Sequence, residues 1–124
     1  MEKEFVPYDI ALALKELGFD ERCLKGFYKK EIIWAETGNS YDFNSRKPIE
    51  HFVSAPLYQQ VFRWFREKYF ITQYVYFDFD DIWSFRIDNG DTGEGNNGFV
   101  TYEEAELACL RKLIEIVKEN PTDK

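Results

Sequence analysis

Apolar positions along the 124-residue chain change their spacing several times, and each change marks a predicted element. Val6, Ile10, Leu14 and Leu17 recur at helical steps, so a first helix is expected over 7–17, with Pro7 in its opening turn. Gly18 closes it, and Phe19 is expected to fold back on Leu14 in a Schellman arrangement. Residues 24–28 and 31–35 are β-prone runs around a Lys29-Lys30 pivot, which reads as a hairpin. Turn-forming residues at 37–40 and 44–48 then predict a loop. Ser54 is placed to cap a helix from about Pro56 to Tyr69, where Leu57, Tyr58, Val61, Phe62, Phe65 and Tyr69 form a stripe that Trp64 widens.

Further on, Val75, Phe77 and Phe79 alternate with Tyr74, Tyr76, Asp78 and Asp80, and Trp83, Phe85 and Ile87 alternate with Ser84 and Arg86. This predicts a second hairpin with one apolar face. Residues 88–98 are rich in Gly, Asn and Asp and read as a flexible acidic loop. The last helix begins at Thr101, whose hydroxyl is expected to accept from Glu104 N–H while the Glu104 carboxylate reaches back to Thr101 N–H as a capping box. Ala105, Ala108, Cys109, Leu113, Ile116 and Val117, widened by Leu110 and Ile114, form its buried stripe. Glu106, Arg111, Lys112 and Glu115 are expected to face outward. Asn120-Pro121 ends it. The predicted order is α-β-β-α-β-β-α: an α+β fold with an antiparallel sheet of about four strands and helices mainly on one face. A single domain, 1–124, is expected, with 119–124 a disordered tail.

Composition sharpens this picture in one respect. Aromatic residues make up 19% of the chain, 12 of them Phe, and this excess requires either a thick core or an exposed aromatic patch. The net charge of −7 weighs against a surface wholly devoted to phosphates or anionic lipid. That charge is uneven: 46–68 carries five basic and two acidic residues, a net +3, whereas 78–119 is −7. Cys23 and Cys109 form no short-spaced pair, and the charged start, with Pro7 and Asp9 close behind, reads against a secretory leader. Reduced core thiols in a cytoplasmic protein are expected, with no membrane span.

Arg63, Trp64, Arg66 and Lys68 combine cations with an indole on the middle helix, a mixture that holds phosphates and stacks on bases. Tyr74 and Tyr76 share the polar-side positions of the second hairpin and join them as candidate binding residues. Asp78, Asp80 and Asp81 offer hard oxygen ligands for Mg²⁺ or Ca²⁺, but a polar hairpin face and its turn account for them, and no His or Glu motif completes a metal or general-base site. Residues 88–99 fail as a calcium loop because Phe99 stands where a bidentate Glu belongs. His51, the only histidine, stands alone. No nucleophile-elbow, phosphate-loop or zinc pattern is present, so no catalytic residue and no cofactor is assigned, and the sequence weighs against an enzyme.

The wording of 54–69 (SAPLYQQVFRWFREKY), 6–20 (VPYDIALALKELGFD) and 101–110 (TYEEAELACL) resembles a family of small uncharacterised proteins of gut Bacteroides-type bacteria, their phages and mobile elements. Arg22 departs from the proline common at that position, and the Gly-rich stretch around Gly93 is peculiar to this chain. The resemblance implies kinship and no activity. The leading expectation is a small phage- or mobile-element-type accessory protein that binds a protein partner. The alternatives are nucleic-acid binding through the basic edge of the middle helix, and a metal-dependent hydrolase using Asp78 and Asp80.

Overall fold

The computed structural model describes residues 4–35, 39–78, 82–89 and 92–119. The chain divides into two compact units, Met1–Tyr58 and Gln59–Lys124. The fold is α+β, with three α-helices and two three-stranded antiparallel sheets among the described residues, ordered β2-β1-β3 and β4-β5-β6. Six strands in two sheets replace the expected single sheet of about four.

In the first unit, α1 (Tyr8–Glu16) buries Ile10, Ala11 and Leu14 and ends as its sequence predicts. Phe19 N–H donates to Leu14 O and Gly18 N–H to Lys15 O, both at 3.0 Å, with Gly18 at φ 95°. This is the Schellman motif, and it sends Phe19 into the core beside the chain reversal. Lys15, in the last turn, donates to the carbonyls of Phe52 (2.8 Å) and Ile49, so a helix-end cation satisfies two backbone acceptors.

β1 (Lys25–Tyr28) and β2 (Glu31–Trp34) form the expected hairpin, paired Lys25↔Trp34 through Tyr28↔Glu31. The two-residue turn places Lys29 at φ 51° and Lys30 at φ 75°. Left-handed geometry at both positions matches strand twist but disfavours any side chain with a Cβ. β3 (Phe52–Ala55) pairs with the other edge of β1, all four of its residues buried. It lies where the sequence suggested only loop and cap. Ser54 is therefore no helix cap: its N–H donates to Asn44 Oδ1 at 2.8 Å and its hydroxyl accepts from Asn44 N–H at 3.2 Å. Gly26, opposite Ser54, leaves room for the buried Phe43 ring, which a Cβ there would overlap.

In the second unit, α2 (Tyr58–Tyr69) starts two residues later than expected and buries Val61, Phe62, Trp64 and Phe65. β4 (Thr72–Phe77) and β5 (Trp83–Asn89) are the expected second hairpin. β6 (Thr92–Phe99) adds a third strand where a flexible acidic loop was expected, with a register shift between Trp83 and Phe85. α3 (Tyr102–Glu119) packs on this sheet. Its fully buried Leu110 and Leu113 contribute on the order of 1.5–3 kcal/mol each. Thr101 Oγ1 caps Glu104 N–H at 3.1 Å, while the Glu104 carboxylate accepts from Val100 N–H rather than from Thr101. Glu106 is buried instead of outward-facing, accepting hydrogen bonds from Tyr102 Oη (3.1 Å) and Gln59 Nε2 (3.4 Å). Glu119 ends this helix, and the rest of the expected tail lies outside the described residues. Cys23 and Cys109 are buried and not joined in a disulfide, and no helix among the described residues is long and apolar enough to cross a membrane.

The Lys29-Lys30 turn predicts a simple stability gain. Replacing it with Asn-Gly is expected to stabilise the protein by about 1 kcal/mol. Gly26→Ala is expected to destabilise it by about 1–3 kcal/mol through overpacking on Phe43. Urea midpoints at constant m-value check both, and an unchanged midpoint in either variant contradicts the local account.

Candidate functional site

Strand pairing puts Thr72, Tyr74 and Tyr76 of β4 opposite Asp88, Arg86 and Ser84 of β5, so these six share one face of the second sheet. The other face carries Val75, Phe85 and Ile87, with Trp83 edge-on to Tyr102 of α3 at 5.3 Å and Phe85 stacked on Phe99 at 5.9 Å. α3 packs on that face and buries Phe85 and Ile87, while Phe77 at the end of β4 stays 54% exposed. On the opposite face Tyr74 is 50% and Tyr76 41% exposed, their rings 5.5 Å apart. Arg86, in register with Tyr74, forms an exposed ion pair with Asp88 at 3.3 Å. β6 brings Gly95 opposite Arg86, and a shallow depression of about 240 Å³ lies between Tyr76, Phe85, Arg86 and Gly95 to Asn97. Ser84 is fully buried opposite Tyr76, and its hydroxyl has no hydrogen-bond partner among the described residues.

A further aromatic is held out at a backbone cost. Phe70, the residue after α2, has φ 60° and is 79% exposed. Phe70 N–H still closes the helix end on Arg66 O. Glycine performs that closure without a Cβ penalty, so neither the turn nor the core calls for phenylalanine here.

The candidate residues of α2 separate. Arg63, Arg66 and Lys68 are exposed, whereas Trp64 is only 5% exposed, packed edge-on against Phe65 and Tyr69. The Lys68 ammonium lies over Trp64 at 5.2 Å and Tyr69 at 5.8 Å. Cations are thus presented on this helix without an open indole face. Tyr74 and Tyr76, by contrast, do come together with an arginine, and that arginine escaped sequence reasoning although its alternation with Phe85 and Ile87 placed it on the same face.

Of the carboxylates weighed for metal, Asp78 donates its backbone N–H to Ile82 O at 2.9 Å, whereas Asp80 and Asp81 lie outside the described residues. Among the described residues no group of three or more His, Cys, Asp or Glu side chains is placed to hold a metal ion. His51 stacks edge-on to Tyr28 at 6.0 Å. Burial first, then the Glu106 charge, pushes the Cys109 thiol up to about 12. Burial, followed by the charge and hydrogen bond of Glu106, pushes the Tyr102 phenol up to about 12. Neither is an activated nucleophile near neutral pH. Comparison of the chain with protein-family models, with curated proteins and with solved structures finds no match.

Raised folded-state pKa values favour the protonated forms, so the stability they contribute is present below the ordinary values of 9.0 for Cys109 and 10.0 for Tyr102 and is lost as pH rises toward about 12. Urea titrations between these limits are expected to show a falling midpoint, and Cys109→Ala is expected to lower the baseline yet flatten the fall. Parallel curves for the two proteins contradict the assignment.

Proposed function

We propose that this protein is a binding module, an accessory protein of phage or mobile-element type, that engages a protein partner through the open face of the second sheet. The observation that carries this reading is the pair Tyr74 and Tyr76, side by side and half exposed next to Arg86, on the face opposite α3. Tyr and Arg are the residue types that concentrate binding energy at interfaces, because each combines a large, rather rigid contact area with a polar tip. Phe70, exposed in a conformation that favours glycine, fits a surface kept for contact.

A second reading rests on the exposed Arg63, Arg66 and Lys68, which attract phosphate oxygens in a chain that is otherwise acidic. The buried Trp64 withholds the stacking partner that single-stranded binding draws on, so this surface is limited to backbone contacts.

The two readings part in one experiment. The wild-type protein, Tyr74→Ser/Tyr76→Ser and Arg63→Glu/Arg66→Glu are used to capture partners, after far-UV circular dichroism shows that each is folded. The tyrosine variant is expected to lose the captured protein, each anchor being worth about 2 kcal/mol, and the arginine variant to retain it. Loss only in the arginine variant, with nucleic acid recovered and released by salt, overturns the first reading in favour of the second.

A further inference from the structure

A strand at the end of a sheet presents unpaired N–H and C=O groups, and proteins blunt such edges with shortness, charge, bulges or cover. Three of the four end strands among the described residues carry such devices. β2 has four residues, opens on Glu31 and follows Lys29-Lys30. β3 is equally short and wholly buried, and just beyond it Phe5 bridges Leu57 and Val6 N–H donates to Pro56 O. β6 contains Glu94, several glycines and the irregularity opposite Trp83 and Phe85. β4 is the exception. Its residues, Thr72-Gln-Tyr-Val-Tyr-Phe77, include no charge and no proline, pair with β5 in unbroken register and are mostly aromatic or β-branched.

The hairpin fixes which backbone groups this edge offers. Asp78 N–H donates to Ile82 O at 2.9 Å in line with the Phe77↔Trp83 register, so Asp78 and Ile82 are a hydrogen-bonded pair. Alternation back along the strand turns the backbone groups of Tyr76, Tyr74 and Thr72 toward β5. Those of Phe77, Val75 and Gln73 point the other way, where no strand lies among the described residues.

We infer that a second copy of this chain pairs with this edge, β4 antiparallel to β4 about a two-fold axis at Val75. A centre at Tyr74 would draw on Ile71 N–H, which already donates to Phe65 O at 3.5 Å. The Val75 centre uses only Gln73, Val75 and Phe77, and each N–H meets a C=O of the copy. It sets Tyr74 opposite Tyr76 of the copy and Gln73 opposite Phe77 of the copy, on matching faces. Charge selects a copy as the occupant. Two chains of net charge −7 repel, so copies can meet only where no carboxylates face one another. In this register Thr72 stands opposite Asp78, and no like charges are apposed. Closure on a copy consumes both edges and stops the assembly at two, which accounts for an edge without other protection. The contact uses the strand's edge and stands independently of the partner proposed for the open face.

Pairing through one strand is a small contact, below about 1,200 Å², so a dissociation constant on the order of 10–100 μM is expected. Sedimentation equilibrium of the purified full chain, from about 5 to 500 μM, is expected to show monomer passing to dimer. Gln73→Lys/Phe77→Lys puts lysines opposite one another across the axis and is expected to weaken the dimer about tenfold or more. Gln73→Glu/Phe77→Lys puts Glu opposite Lys and is expected to restore it. Repulsion by net charge alone predicts the reverse order, because the double-lysine protein is the less negative. Far-UV circular dichroism checks folding. If the double-lysine protein does not fold, Val75→Pro replaces it, removing the central donor without loss of a bond to β5. A wild-type chain that stays monomeric throughout overturns the proposal and leaves the edge to a strand from another protein. So does a dimer that the edge variants leave unchanged, or a Glu/Lys protein that associates no more tightly than the double-lysine one.

Discussion

A sheet has two faces, and the single helix α3 dries only one face of β4-β5-β6. This constraint shapes most of the second unit. The α3 stripe of Ala105, Cys109, Leu110 and Leu113 is buried to completion, and the facing strand positions are Val75, Phe85 and Ile87. Because side chains alternate strictly along a strand, committing those positions to the helix commits Tyr74, Tyr76 and Arg86 to the opposite face. Their exposure is thus a consequence of register, but their identity is not. Thr, Ser or Lys would satisfy an outward strand position at lower risk of association. Two tyrosines beside an arginine are more than the fold requires.

The same distinction between what a fold needs and what it contains applies to the left-handed residues. Gly18 at the end of α1 is the residue its geometry favours, and the sequence announced it. Lys29, Lys30 and Phe70 occupy similar backbone conformations with side chains that gain nothing from them. Lys29 finds a partial recompense in the Tyr28 ring at 5.4 Å. Phe70 is exposed, as Tyr74 and Tyr76 are, so the second unit keeps aromatic surface at positions where a stability-only sequence would carry glycine or polar residues.

Elements whose cores declare themselves through periodicity were legible in the sequence: α1 with its Schellman end, α3 with Thr101 as cap, and both hairpins. The two strands that were not legible fail for opposite reasons. β3 is buried on both sides, so Phe52 to Ala55 show no alternation, and Ser54 mimics a helix cap while serving Asn44. β6 consists largely of Gly, Asn and Thr, and its hydrogen bonding to β5 is backbone-driven, which leaves no hydrophobic trace. Glu106 was misplaced because helical periodicity counts a carboxylate as polar and outward, whereas hydrogen bonds from Tyr102 and Gln59 help accommodate it inside.

Candidate surfaces were legible to the extent that they lay on one element. The α2 cluster combined residues three and four apart, but on a helix those spacings also describe the buried stripe, and Trp64 belongs to that stripe. Tyr74 and Tyr76 lie side by side because an i, i+2 pair on a strand must share a face whatever the tertiary packing. The open edge of β4 had no sequence signal, since alternation places residues on faces but does not say which strand ends a sheet. Strand order is visible only once the backbone is placed. The chain's aromatic excess therefore divides into a thick core and an open remainder, part of which lies beside cations, Tyr41 with Arg46 and Trp34 with Lys25. In these two pairings the ring face offsets part of the cost of holding a cation still, buried for Lys25 and exposed for Arg46.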